Sequence, residues 1–192
     1  TANTTASNNA AFGRNALAGN TTGTQNVAVG KGALASSTTV SNLTAVGFEA
    51  LLSNTSGTNG VAVGKDALQA NTTGDNNTAV GLEALHSNTT GDENTAVGTG
   101  ALNSNTTAND NCAFGRNALA LNTTGASNTA VGKGALVSNT TASNNTAVGK
   151  EALLSNTTGQ SNVAAGSFSL DACTTGNDNV RSEEHTSELQ SH

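Results

Sequence analysis

One spacing constrains this chain more than any other property: a glycine closing an Ala-x-Gly motif returns every 17 residues. The series is Gly13, Gly30, Gly47, Gly64, Gly81, Gly98, Gly115, Gly132, Gly149 and Gly166. Two places before each anchor stands an alanine: Ala11, Ala28, Ala45, Ala62, Ala79, Ala96, Ala113, Ala130, Ala147 and Ala164. Four places after it stands a leucine: Leu17, Leu34, Leu51, Leu68, Leu85, Leu102, Leu119, Leu136, Leu153 and Leu170. A threonine recurs eight places after each anchor, from Thr21 to Thr174, and each copy reads roughly NTAVGxxALxSNTTGxx. Such fixed-period self-similarity is the mark of a repeat architecture.

A single long helix cannot align these columns. At about 100° per residue, one period rotates through about 1700° and leaves each leucine about 100° away from the face of the previous one. A short helix around each Ala-Leu pair has few residues between the glycine and the Asn-Thr-Thr-Gly breakers. Strand is the better expectation. Thr-Ala-Val alternates and is β-prone, the anchor glycine permits a bend, and Asn and Gly supply the left-handed backbone of tight corners. The sequence therefore predicts an all-β fold, a left-handed parallel β-solenoid or β-roll of ten 17-residue coils over residues 1–180. Coils stacked about 4.8 Å apart give a rod of roughly 48 Å.

Composition agrees with a regular scaffold and argues against an enzyme-like core. Only 34% of residues are hydrophobic, 2% aromatic and 10% charged, and Pro, Met, Trp and Tyr are absent. Globular domains average about 45–50% apolar and about 25% charged residues. A net charge of −6 with 7 Lys and Arg predicts no nucleic-acid partner. No stretch reaches the roughly 20 apolar residues of a membrane span, and no leader pattern precedes Thr1, so the chain is expected to be a piece of a longer protein with no membrane insertion of its own.

Variation at fixed phases sorts the columns. Invariant Ala and Leu fit crowded sites, because interiors pack at crystal density. The position before the anchor holds Val in most copies but Phe12, Phe114 and Ala165 in others, which places it at a margin or seam. Arg14, Lys31, Lys65, Arg116, Lys133 and Lys150 all follow an anchor directly, with Glu49, Asp66, Glu83 and Glu151 one place further, an edge expected to face water. Burial of one Leu and one Val per coil falls short of the entropy of ordering the coil, so backbone ladders and stacked Asn and Thr must contribute. The Ala column is expected to admit a second chain at close approach, giving a three-fold or two-fold bundle.

The sequence offers little chemistry of reaction, and it predicts no catalytic, cofactor-binding or metal-binding residue. His86 sits where other copies carry Ala, Leu or Gln. Asp75, Asp92, Asp110 and Asp178 fall in the turn after Asn-Thr-Thr without the regular ladder of calcium-binding β-rolls. Cys112 and Cys173 lie three to four coils apart, about 14–19 Å along a straight rod against a Cα limit of about 7 Å for a disulfide. The Asn file, Asn20, Asn54, Asn71, Asn88, Asn105, Asn122, Asn139 and Asn156, creates glycosylation sequons, yet stacked amides bonding to each other and to the corner backbone are the favoured reading. Adjacent threonines such as Thr21 and Thr22 leave one clean file per coil for any ice-binding surface.

At NTAVGKGAL (Asn128 to Leu136) and NTAVGKEAL (Asn145 to Leu153) the chain resembles the head repeats of trimeric autotransporter adhesins and related repeats in phage or bacterial tail-fibre-like proteins. The resemblance covers residues 1–180. It implies a left-handed β-roll, a homotrimer, and display at the cell surface or outside the cell for attachment to a host or matrix ligand. The period is longer than the usual head repeat, and the Asn-Thr-Thr-Gly turn is closer to repeats of tail-fibre-like proteins. The expected function is a non-enzymatic structural or adhesive rod segment presenting repeated files for multivalent contact. A fibre shaft that spaces a receptor-binding tip is the alternative, and an ice- or carbohydrate-binding solenoid a further one.

The period also marks a foreign tail. Arg181, Ser182 and Glu183 stand where Ala, Val and Gly are due, and residues 181–192, RSEEHTSELQSH, resemble a translated sequencing adapter. They are expected to be a non-native disordered tail.

Overall fold

A computed structural model describes residues 6–182. Eleven short strands run in chain order: β1 (Ala10–Phe12), β2 (Val27–Val29), β3 (Thr44–Val46), β4 (Val61–Val63), β5 (Thr78–Val80), β6 (Thr95–Val97), β7 (Cys112–Phe114), β8 (Thr129–Val131), β9 (Thr146–Val148), β10 (Val163–Ala165) and β11 (Val180–Arg181). They form one parallel sheet in which every strand pairs with its sequence neighbours. The register advances by one period at each step, Thr78 on Thr95, Ala79 on Ala96, Val80 on Val97. The chain is a parallel β-solenoid of about ten turns, and among the described residues there is no helix. The ladder continues to Arg181, one residue beyond the end of the phase in sequence; residues 183–192 of the tail lie outside the described residues.

The coil spanning residues 78–94 shows how the sequence builds one lap. Strand alternation turns the Thr78 and Val80 side chains outward and Ala79 inward. The Gly81 amide continues the ladder to Val63 O at 2.8 Å, and its φ of +137° turns the chain. A Cβ there would stand 2.6 Å from Gly98 O, so two constraints demand glycine at once. Left-handed backbone follows at Glu83 (φ 54°), Leu85 (φ 51°) and, before the next strand, Glu93 (φ 58°). Leucine disfavours that region by about 1–2 kcal/mol. Complete enclosure of the side chain, worth about 1.5–3 kcal/mol, offsets the strain.

The core is narrow. In the same coil Ala79, Ala84 and Leu85 are fully enclosed, and Asn88 and Asn94 lie beside them. Two expectations change here. The second apolar group buried with leucine is alanine rather than valine, since Val29, Val131 and Val148 remain more than a third exposed. The strand alanines, Ala28 to Ala164, point into their own coil and are closed to any other chain. A column of small residues shows only that space is short; the strand's pleat decides which side is crowded. The residue before the anchor sits at the margin, as its mixture of Val and Phe implies.

Candidate functional site

Four outward files and two buried ones account for the side chains that could carry chemistry. The buried files are amides. Asn71 Nδ2 donates to Asn54 Oδ1 at 2.9 Å and to Gly74 O at 3.0 Å, and the pattern repeats at Asn88, Asn105, Asn122, Asn139 and Asn156. Their enclosed nitrogens are committed inward, so a glycan at these sequons would have to displace the corner itself. The second amide file, four places before each anchor, was not singled out in the sequence, although Asn heads the NTAVG consensus. Asn94 Nδ2 donates to Ala108 O at 2.8 Å, its Oδ1 accepts the Asn111 amide at 3.1 Å, and its own amide donates to Asn77 Oδ1 at 3.0 Å. Leu43 and Gly60 interrupt this file as a pair: a Cβ on Gly60 would stand 3.3 Å from Leu43 Cδ2.

The anchor glycines and the leucines of the repeat form the two columns that the period implies. The glycines stack with φ between +124° and +145°, and the leucines stack in the core, fully closed except toward the ends at Leu17 and Leu170. These residues position the surface and react with nothing.

The first outward file is the sheet face, where Val29, Val46, Val63, Val80, Val97, Phe114, Val131 and Val148 run beside Val27, Thr44, Val61, Thr78, Thr95, Cys112, Thr129 and Thr146. Phe114 is 40% exposed on this flat, largely apolar strip. Cys112 belongs to it, and burial pushes its thiol pKa up. Cys112 and Cys173 are both free thiols.

The second file is the charged edge. Lys65 Nζ lies 3.1 Å from Asp66 Oδ2, and Gln69 Nε2 donates to Glu49 Oε2 at 2.9 Å and to Asp66 Oδ1 at 3.2 Å. Lys31 and Lys65 flank the Phe48 ring at 4.9 and 5.9 Å, and Lys150 lies 4.6 Å over Phe168. Half-buried His86 places Nδ1 3.3 Å from Asp66 O, a backbone contact with no nucleophile or carboxylate as its partner.

Threonines form the third file and the turn before each strand the fourth. Thr72 Oγ1 donates to Thr89 O at 2.9 Å, and Thr55, Thr89, Thr106, Thr123, Thr140 and Thr157 repeat the bond. Those hydroxyls are consumed by the ladder. Thr73, Thr90, Thr107, Thr124 and Thr141 are the exposed members of each pair. In the turn, Asp75 Oδ1 accepts from the Thr58 amide and hydroxyl, and Asp92 Oδ1 accepts from the Asp75 amide at 2.8 Å. These carboxylates cap backbone donors of the neighbouring coil, and among the described residues no group of three His, Cys, Asp or Glu side chains could hold a metal ion.

Comparison with protein-family models, with curated proteins and with solved structures gave no match.

Proposed function

We propose that the chain is a non-enzymatic, adhesive rod segment of a cell-surface or secreted fibre, self-associated as a homotrimer and bound through repeated contacts to a host or matrix surface. One observation carries the reading: an unbroken in-register ladder sets most of the varied side chains in straight outward files, while the constant Ala and Leu fill the interior. Rigid files make each additional contact effectively intramolecular, so weak single interactions multiply. The Val and Phe strip of the sheet supports self-association, because neighbouring copies share its axial spacing and covering it removes apolar surface from water.

Two measurements test this. Beads coated with the chain at increasing density should adhere to immobilised matrix proteins more steeply than in proportion to density; absence of adhesion at every density would refute attachment. Light scattering should give three times the 18.8 kDa chain mass, and a monomer would refute the trimer.

A further inference from the structure

We propose that the rod contains a hinge, between the corner at residues 37–43 and the corner at residues 54–60. It pivots on the sheet and opens on the threonine side, joining two stiff arms, whatever surface the rod meets.

One column controls that side. Ten places after its anchor a coil carries glycine in most copies, alanine at Ala108 and Ala142, and valine at Val40. The column is tight: a Cβ on Gly74 would overlap Gly91 O, and one on Gly91 would overlap Ala108 O. The threonine corner beside it responds in steps. Next to Gly74 and Gly91, the Thr72 amide donates to Thr89 O at 2.9 Å and the Thr89 amide to Thr106 O at 2.8 Å, and the Thr73 and Thr90 amides join the same oxygens at 3.2 Å. Next to Ala108 and Ala142 the first bond lengthens, Thr106 N to Thr123 O at 3.1 Å and Thr140 N to Thr157 O at 3.2 Å, and the Thr107 and Thr141 amides make none there. Next to Val40 the corner parts. Among the described residues, neither the Thr38 amide, nor its hydroxyl, nor the Thr39 amide bonds to Thr55 O. Thr21 and Thr55, one coil to either side, both make the hydroxyl bond, at 3.0 and 2.9 Å. The gap grows from hydrogen to methyl to isopropyl.

Other struts of the joint are missing with it. Ser37 replaces the Asn whose amide elsewhere closes the corner, as Asn54 Nδ2 does on Gly57 O at 2.9 Å, and donates its hydroxyl to Asn54 O at 3.0 Å instead. The Asn59 amide makes no bond to Ser41 O, whereas Asn42 and Asn76 make the equivalent bonds to Thr24 O and Thr58 O at 3.1 and 3.0 Å. The Gly60 amide is due an oxygen from residue 43, which is leucine, although the Leu43 amide itself donates to Asn26 Oδ1 at 3.0 Å. Leu43 is buried and lies against Gly60 through carbon. Such an apolar contact has no preferred direction, so it tolerates tilt where an amide ladder resists it.

The remaining walls are intact. Thr44, Ala45 and Val46 pair with Val61, Ala62 and Val63, and the Leu34 and Ser36 amides donate to Ala50 O and Leu52 O at 3.1 and 3.2 Å. Bonds kept on these walls and lost at one corner produce rotation about the kept ones rather than separation of the coils. From Thr55 to Thr157 the first corner bond persists at every step, which confines the tilt to this joint. Files on the two arms can then meet a surface that is not flat, while each file stays straight within its arm.

Pulsed electron paramagnetic resonance reads the tilt on the full chain. Nitroxide labels on T22C/T107C span the joint, and labels on T73C/T158C span the same five coils, about 24 Å, without it. All four positions are exposed. Both pairs are placed in a C112T/C173N background and diluted with excess unlabelled chain, so that each distance lies within one molecule. The distribution across the joint should be roughly twice as wide as the control, and V40G should narrow it to the control width, with V40A between them. Amide exchange at Thr38 and Thr39 should slow roughly tenfold or more in V40G as the bonds to Thr55 O form. Equal widths for the two pairs, or widths and exchange rates indifferent to residue 40, would overturn the proposal. These measurements use no ligand, so a chain that adheres to nothing defeats the attachment reading and leaves the hinge untouched.

Discussion

Asn105 Nδ2 donates to Asn88 Oδ1 at 2.9 Å, one coil away, and also to Ala108 O at 3.0 Å, so a single amide joins two coils and closes its own corner. Its Oδ1 accepts from Asn122 Nδ2 at 3.1 Å. Asn105→Ala removes all three bonds from a fully buried site. Each buried group left unsatisfied costs about 1–3 kcal/mol, so urea denaturation should show a loss of about 2–4 kcal/mol. A loss below about 1 kcal/mol would mean that water replaces the amide inside the rod.

The same file predicts where stability can be gained. Ser37 and Cys173 replace the Asn of their coils. The two acceptors they face, Asn20 Oδ1 and Asn156 Oδ1, are buried without a partner. Ser37→Asn and Cys173→Asn each restore the missing donor and should raise stability by about 0.5–1.5 kcal/mol. A matched drop in the denaturation midpoint would show that the amides cannot reach their acceptors.

The anchor glycine predicts the opposite outcome. Gly98 has a φ of +136°, and a Cβ on it would stand 2.6 Å from both the C and the O of Gly115. The obstructing atoms are backbone and cannot rotate away. Gly98→Ala should therefore cost more than about 3 kcal/mol, read from the thermal midpoint and from loss of the β-sheet circular dichroism signal. Unchanged melting would refute the close contact between coils.

Sequence made the period, the coil and the crowded Ala and Leu columns legible, because identity at a fixed phase is itself the consequence of stacking. It did not reveal orientation. Ala79 in its own core and an alanine at a seam between chains impose the same size limit, so only the pleat of Thr78–Val80 separates them. The left-handed Leu85 was hidden for a related reason: local propensity opposes it, and only tertiary enclosure of its side chain reverses the preference. Asn94 stood in the consensus, but its bond to Ala108 O spans 14 residues and has no local signature.

Cys112 supplies a prediction in pH. Burial pushes its thiol pKa up, so the folded chain holds it protonated at a pH where the unfolded chain already forms thiolate. Thiolate is the nucleophile, and iodoacetamide should therefore modify Cys112 more slowly in the folded chain than in urea, with the difference greatest at mildly alkaline pH. The unfolded state gives up its proton first, so stability falls as pH rises through the unfolded thiol pKa. Work in the Cys173→Asn background isolates the site. Equal alkylation rates in folded and unfolded chain would contradict the burial of Cys112.

Removal of a whole coil tests the architecture most directly. Deleting residues 82–98 joins Gly81 to Thr99, which places the residue after the next anchor where Leu82 stood. Every downstream Ala, Leu and Asn then meets its usual neighbour, since the register advances by one full period per coil. In a solenoid, stability is nearly a sum over coils and their interfaces, so the shortened chain should fold with unchanged circular dichroism per residue. Its denaturant m-value should fall in proportion to the surface lost. Deleting residues 82–97 instead leaves one residue too many, so across the junction Phe114 falls on the anchor-glycine corner and Asn amides lose their acceptors. That variant should lose the β signal on one side of the junction and become sensitive to protease there. Equal folding of the two deletions would show that the columns do not depend on register, and a stacked 17-residue coil would not survive that result.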